Sequence, residues 1–139
     1  MYQYSAKLIR VIDGDTIDAE IDLGFKIFVK ERIRLIGIDT PESRTRNLFE
    51  KSWGLAAKDR LSELLADNNN DFIINTKIDK KGKFGRMLGD IIVDGINANQ
   101  QLIAEGLAIP YTGGKRLESR TAAGVTHLWG ETWYNNTPL

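Results

Sequence analysis

From Thr16 to Leu35 most of the apolar residues fall on every second position. Ile17, Ala19, Ile21 and Leu23 alternate with Asp18, Glu20 and Asp22. After Gly24 the same phase returns, with Ile27, Val29, Ile33 and Leu35 opposed by Lys30, Arg32 and Arg34. A period of two puts one residue class on each face of an extended strand, and a face that apolar must be covered. The segment therefore predicts half-buried strands with a turn at Gly24. At Ile36 and Ile38 the apolar residues cross to the arginine face, which predicts a bend or a strand covered on both sides.

The remaining strands are shorter. Lys7–Ile12 reads as a strand ending at Asp13-Gly14, a turn dipeptide. Phe72–Ile78 and Met87–Val93 are two more, the second closed by Asp94-Gly95. Phe49–Ala66 carries Trp53, Ala57, Leu61, Leu64 and Leu65 at helical spacing and stops at Asp67-Asn68-Asn69-Asn70. A short helix capped by Asn97 or Asn99 turns Leu102 and Ile103 inward and ends at Gly106, and a weaker helical pattern covers 117–125. Five strands with a helix after the third is an order that permits a small closed barrel of the OB type.

At 139 residues the chain suits one domain spanning 1–139, with a core of about 5–130 and a tail at 131–139. Nineteen basic residues balance nineteen acidic ones, so any positive surface is local rather than global. There is no cysteine, which excludes disulfides and Cys-based zinc. No run approaches membrane-spanning length and the first residues lack a signal-peptide pattern, so cytoplasmic residence is expected, or secretion if a leader has been removed.

Carboxylates gather where strands end: Asp13 and Asp15 after the first, Asp39 and Glu42 after the third. Turn chemistry is the plain reading of each, and Asp39-Thr40-Pro41-Glu42 also has the form of a helix start. Together they need a neutralising cation, and an oxygen-only set suits calcium or magnesium. Arg34 precedes this cluster, and Arg86 follows the glycine-bearing loop Gly82-Lys83-Phe84-Gly85. A surface ion pair is the ordinary fate of an arginine, but a planar guanidinium also clamps two phosphate oxygens. Metal carboxylates opposite arginines suit phosphodiester cleavage. Asp18, Glu20 and Asp22 read as a solvated face. Trp53, Trp129, Trp133 and the single histidine, His127, read as structural, and Tyr111 either packs or stacks on a base.

The motifs Val-Ile-Asp-Gly-Asp-Thr at 11–16, Arg-Leu-Ile-Gly-Ile-Asp-Thr-Pro-Glu at 34–42 and Lys-Phe-Gly-Arg at 83–86 occur in order. On them the chain resembles the staphylococcal nuclease (thermonuclease) family from about Ser5 to Trp129. The resemblance implies a mainly β, α+β fold: a five-stranded OB barrel with about three helices. It implies a calcium-dependent endonuclease acting on DNA or RNA, single-stranded or frayed regions preferred, leaving 3′-phosphate ends. Carried over by position, Asp15, Asp39 and the carbonyl of Thr40 hold calcium, Glu42 activates water, and Arg34 and Arg86 hold the phosphate. Asp13 is then turn-forming. Lys83, Phe84 and Tyr111 are the substrate-binding positions, with Phe84 standing where the family has a tyrosine. A monomer without membrane attachment is expected. Two alternatives are a catalytically silent OB module that binds nucleic acid or a protein, and a metal-stabilised structural barrel.

Overall fold

The alternation beginning at Ile17 is realised as β2 (Thr16–Asp22), in which Ile17, Ala19 and Ile21 are fully buried. It pairs antiparallel with β3 (Phe28–Leu35), setting Ile17 opposite Ile33 and Ile21 opposite Val29. The connecting turn has positive φ at Gly24, Phe25 and Lys26, and Ile27 N–H donates to the Gly24 carbonyl at 2.9 Å. Leu23 and Ile27, expected on the buried face, are instead exposed. They lie beyond the last paired residues, Asp22 and Phe28, where the turn carries them past the core.

The structure, a computed structural model, describes residues 2–44, 46, 48–78 and 87–111. The first strand, β1 (Tyr2–Asp13), is longer than the Lys7–Ile12 expected. It pairs with β2 along one edge, and its Tyr2–Lys7 half pairs with a distant strand along the other. That half alternates Tyr2, Tyr4 and Ala6 with Gln3, Ser5 and Lys7, a period the sequence reading passed over.

Downstream of β3 the phase change is a chain reversal rather than a doubly covered strand. Gly37, at φ 78°, turns the chain into the two-residue β4 (Ile38–Asp39). The helix start read at Asp39–Glu42 is not formed: the chain runs irregularly through this stretch, and α1 (Leu48–Ala66) begins later. Trp53, Ala57, Leu61 and Leu65 form its buried stripe, as their spacing predicts.

β5 (Asp71–Ile78) pairs antiparallel with β1 and with β6 (Met87–Val93). Three residues of β6 then run parallel to β3, Ile33 opposite Met87 through Leu35 opposite Gly89. This last pairing closes the ring β1-β2-β3-β6-β5 into a five-stranded barrel of the OB type. Its core is filled by Ile17, Ile21, Ile33, Leu35, Ile74 and Ile91. A further hairpin through Asp94-Gly95 leads to β7 (Ile96–Asn97), which the sequence reading lacks. Asn97 caps α2 (Ala98–Ala104), its side chain accepting from Gln100 N–H, and β8 (Ile109–Pro110) pairs with β4. The helix expected at 117–125, His127, Trp129, Trp133 and the tail at 131–139 lie outside the described residues.

Candidate active site

β2 starts and β3 ends at the same edge of the barrel, with Thr16 opposite Arg34. Asp15 occupies the turn between β1 and β2, so register alone sets it beside Arg34. Arg34 Nη1 lies 2.7 Å from Asp15 Oδ2, and both side chains are largely buried. Asp15 Oδ1 also accepts from the Thr16 hydroxyl at 3.1 Å, and its backbone carbonyl accepts Leu35 N–H at 2.8 Å. A carboxylate this buried needs such partners, since an unpaired buried charge costs several kcal/mol.

The second motif comes to the same corner through the Gly37 reversal. Thr40 N–H is 3.3 Å from Asp15 Oδ2, so the Asp39-Thr40 segment lies against the Asp15 carboxylate. Asp39 and Thr40 are buried. Arg34 Nη2 donates to the Ile38 carbonyl at 3.2 Å, tying the guanidinium to the strand that carries Asp39. Tyr111 covers the other side. Its ring centroid is 5.6 Å from the Arg34 guanidinium carbon, and its N–H donates to the Gly37 carbonyl at 2.9 Å. An open cleft of about 340 Å³, lined by Arg34, Ile36, Gly37, Ile38, Leu88 and Tyr111 among others, adjoins these groups.

The four carboxylates do not form one acidic cluster. Asp13 accepts the Ser43 hydroxyl and Asp15 pairs with Arg34. Among the described residues, no three His, Cys, Asp or Glu side chains form a group able to hold a metal. What the structure brings together is the Asp15 carboxylate and the Thr40 N–H; Asp39, the preceding residue, is buried, and the other candidate donors are its carboxylate and the Thr40 carbonyl. In donor type this oxygen-only set fits a hard cation such as calcium or magnesium, which accepts carbonyls and water beside carboxylates.

Asp18 belongs to a separate ion-pair cluster and is more than a solvated face. Arg32 and Arg10 both reach it at 2.8 Å. The Arg32 hydrogen bond, aided by Arg10, lowers its carboxyl to about 2. Likewise, the hydrogen bond from Arg60 holds the Glu105 carboxyl below its usual range and links α1 to α2.

Several residues that hold this corner escaped the sequence reading. Asn99, read as an alternative helix cap, is fully buried. Its Nδ2 donates to the Ile36 carbonyl at 2.9 Å and the Gly89 carbonyl at 3.2 Å, while its Oδ1 accepts Ile91 N–H at 3.1 Å. It clamps the reversal between Arg34 and Asp39 to β6. Gly14 packs against α1 so closely that a Cβ would lie 2.7 Å from that of Ala57. Glu50 accepts Glu42 N–H at 3.0 Å. The available signals were a glycine inside a helix, Gly54, and an asparagine three residues before Leu102 on an inward-facing helix. Arg86, Lys83 and Phe84 lie outside the described residues, so the second arginine expected to hold phosphate keeps only its sequence position.

A closed OB-type barrel with a buried carboxylate–arginine corner is the class that this geometry defines. The profile described as staphylococcal nuclease homologue matches residues 32–124, and the chain belongs to that family. An uncharacterized protein of Methanocaldococcus jannaschii is 28% identical over 160 aligned positions, covering 96% of this chain and 74% of its own. The endonuclease YncB of Bacillus subtilis is 35% identical over 101 positions, 73% of this chain and 45% of that protein. A thermonuclease of Staphylococcus intermedius is 36% identical over 99 positions, 71% of this chain and 55% of its own length. The chain thus spans about half the length of the named nucleases it matches.

Proposed function

We propose that the chain is a calcium-dependent endonuclease that hydrolyses phosphodiester bonds of DNA or RNA and leaves 3′-phosphate ends. The observation that carries this reading is the meeting of Asp15, Arg34 and the Asp39-Thr40 segment at one end of the barrel, beside an open cleft. Asp15, Asp39 and the Thr40 carbonyl would hold calcium. When bound, calcium neutralises phosphate charge and polarises the phosphorus toward attack.

The protein groups divide the remaining work. Arg34 is already oriented, by the Ile38 carbonyl and the Tyr111 ring, toward the corner where a phosphate would meet the carboxylates. Its five N–H donors suit the negative charge that builds on phosphate oxygens in the transition state. Arg86 is assigned the second contact by its motif. Glu42, half-buried on the loop that follows Asp39, orients a water for in-line attack and accepts its proton; the bond from phosphorus to the 5′ oxygen breaks, and that oxygen leaves as an alcohol protonated from solvent water. The cleft beside Tyr111 takes a base whose face must be exposed for stacking, which favours single-stranded or frayed substrate.

The deciding experiment is a calcium titration of cleavage on matched single- and double-stranded DNA and RNA, with end-group analysis. Calcium-dependent products bearing 3′-phosphates are expected, abolished by chelator and by Asp39→Ala. Substrates that stay intact at every calcium concentration would overturn the reading.

A further inference from the structure

We propose that Glu50 and Gly54 on α1 are positioning residues for Glu42; this rests on the reading of Glu42 as the acid that orients water. The segment from Thr40 to Ser43 has no regular secondary structure, and sheet pairing ends with Asp39 opposite Ile109. A catalytic carboxylate on such a segment is useful only if its backbone is held to within a fraction of an ångström.

The holding comes from the helix. Glu50 is buried, and its Oε2 accepts Glu42 N–H at 3.0 Å. Four residues on, on the same helix face, Gly54 leaves a gap. A Cβ there would lie 2.6 Å from Ser43 N, with the Glu42 carbonyl carbon and oxygen closer still. That approach is possible only for glycine, which explains a residue that costs a helix about 1 kcal/mol relative to alanine. On the far side the Ser43 hydroxyl donates to Asp13 at the end of β1. The peptide linking Glu42 to Ser43 is thereby gripped between a hydrogen-bond acceptor and a notch on α1 and a carboxylate on the barrel. Leu61 and Leu65 anchor the helix in the barrel core and Ala57 packs against Gly14, so the position of Glu42 is transmitted from the core.

The test uses the full chain as wild type, Glu50→Gln, Glu50→Ala and Gly54→Ala. Three quantities are read: kcat and KM on single-stranded DNA with calcium, calcium affinity by calorimetry, and hydrogen exchange at the Glu42 amide by NMR. Glutamine keeps an acceptor oxygen, so Glu50→Gln should retain near wild-type kcat. Glu50→Ala and Gly54→Ala should lower kcat by about 10- to 100-fold, the range for a small misplacement, with KM and calcium affinity unchanged. The Glu42 amide should exchange faster in both. Gly54→Ala raises helix propensity, so a loss there cannot come from a weaker helix. Unchanged kcat in both alanine variants, or a parallel fall of kcat and calcium affinity in them, overturns the proposal. If the wild type cleaves nothing, the functional reading fails separately, and Glu42 amide protection alone decides whether Glu50 and Gly54 hold the loop.

Discussion

Arg34 is the counter-ion of Asp15: the two side chains meet at 2.7 Å, and only 13% and 4% of their surfaces remain exposed. The pair joins a group expected to bind phosphate to one expected to bind a cation. In the isolated protein each therefore neutralises the other, and a cation at Asp15 competes with the guanidinium.

Replacing Arg34 by glutamine should accordingly strengthen calcium binding in the absence of nucleic acid, as read by calorimetry. Cleavage should fall by about 10²- to 10³-fold, the usual loss for one transition-state donor. Calcium affinity equal to wild type would mean that the ion pair and the cation do not compete.

Asn99 satisfies two carbonyls and one N–H inside the barrel wall. Asn99→Ala takes that partner away; the Gly89 carbonyl still accepts Ile36 N–H, so the cost falls on the Ile36 carbonyl and the Ile91 N–H, at about 1–3 kcal/mol for each one left unpaired and buried. Urea denaturation should show a loss on the order of 3 kcal/mol. Because the Ile36-Gly37 reversal loosens, catalysis at temperatures where the variant is still folded should fall as well.

Gly14→Ala brings a methyl to 2.7 Å from the Ala57 Cβ and 3.1 Å from the Thr40 methyl. Neither neighbour has a flexible side chain that can move aside, so α1 and the Asp15 turn must separate. A thermal melt should register about 1–3 kcal/mol of destabilisation, as for other overpacked positions. Enlarging the gap with Ala57→Gly in the same chain should restore part of it, apart from the helix cost of the new glycine.

Asp18 has its folded-state carboxyl lowered from 3.8 to about 2, chiefly by the Arg32 hydrogen bond. The unfolded chain then binds the proton first as pH falls. Its stabilisation is complete above about pH 4 and drains away toward pH 2. Asp18→Asn should cost on the order of 1 kcal/mol at pH 7, since the arginines are exposed. The gap between the variant's and the wild type's urea midpoints should narrow as pH falls from 4 to 2; a constant gap would remove Asp18 from the acid response.

Elements with a strong local period were readable in advance. The buried stripe of α1, the inward residues of β2 and the limits of β6 all match their spacing, because burial of one face is imposed residue by residue along the element. The N-terminal half of β1 and the short strands β4, β7 and β8 were not readable. The two residues of β4, β7 or β8 carry no period, and the alternation of Tyr2, Tyr4 and Ala6 in β1 is short and weakly apolar, its pairing partner lying far along the chain.

The same division runs through the candidate site. The sequence by itself determined which faces of β2 and β3 are buried, that Asp15 and Arg34 flank those strands, and which family the three motifs resemble. Only the tertiary structure decided that Arg34 bonds to Asp15, that Asn99 grips the reversal before Asp39, and that Glu50 and Gly54 hold the loop bearing Glu42. Those contacts join residues from 8 to 63 positions apart, with Arg34 and Asp15 between these limits. Periodicity reports which side of an element leaves water. It carries nothing about which polar group waits on the other side, and that is settled when β6 closes the barrel against β3 and α1 packs across its end.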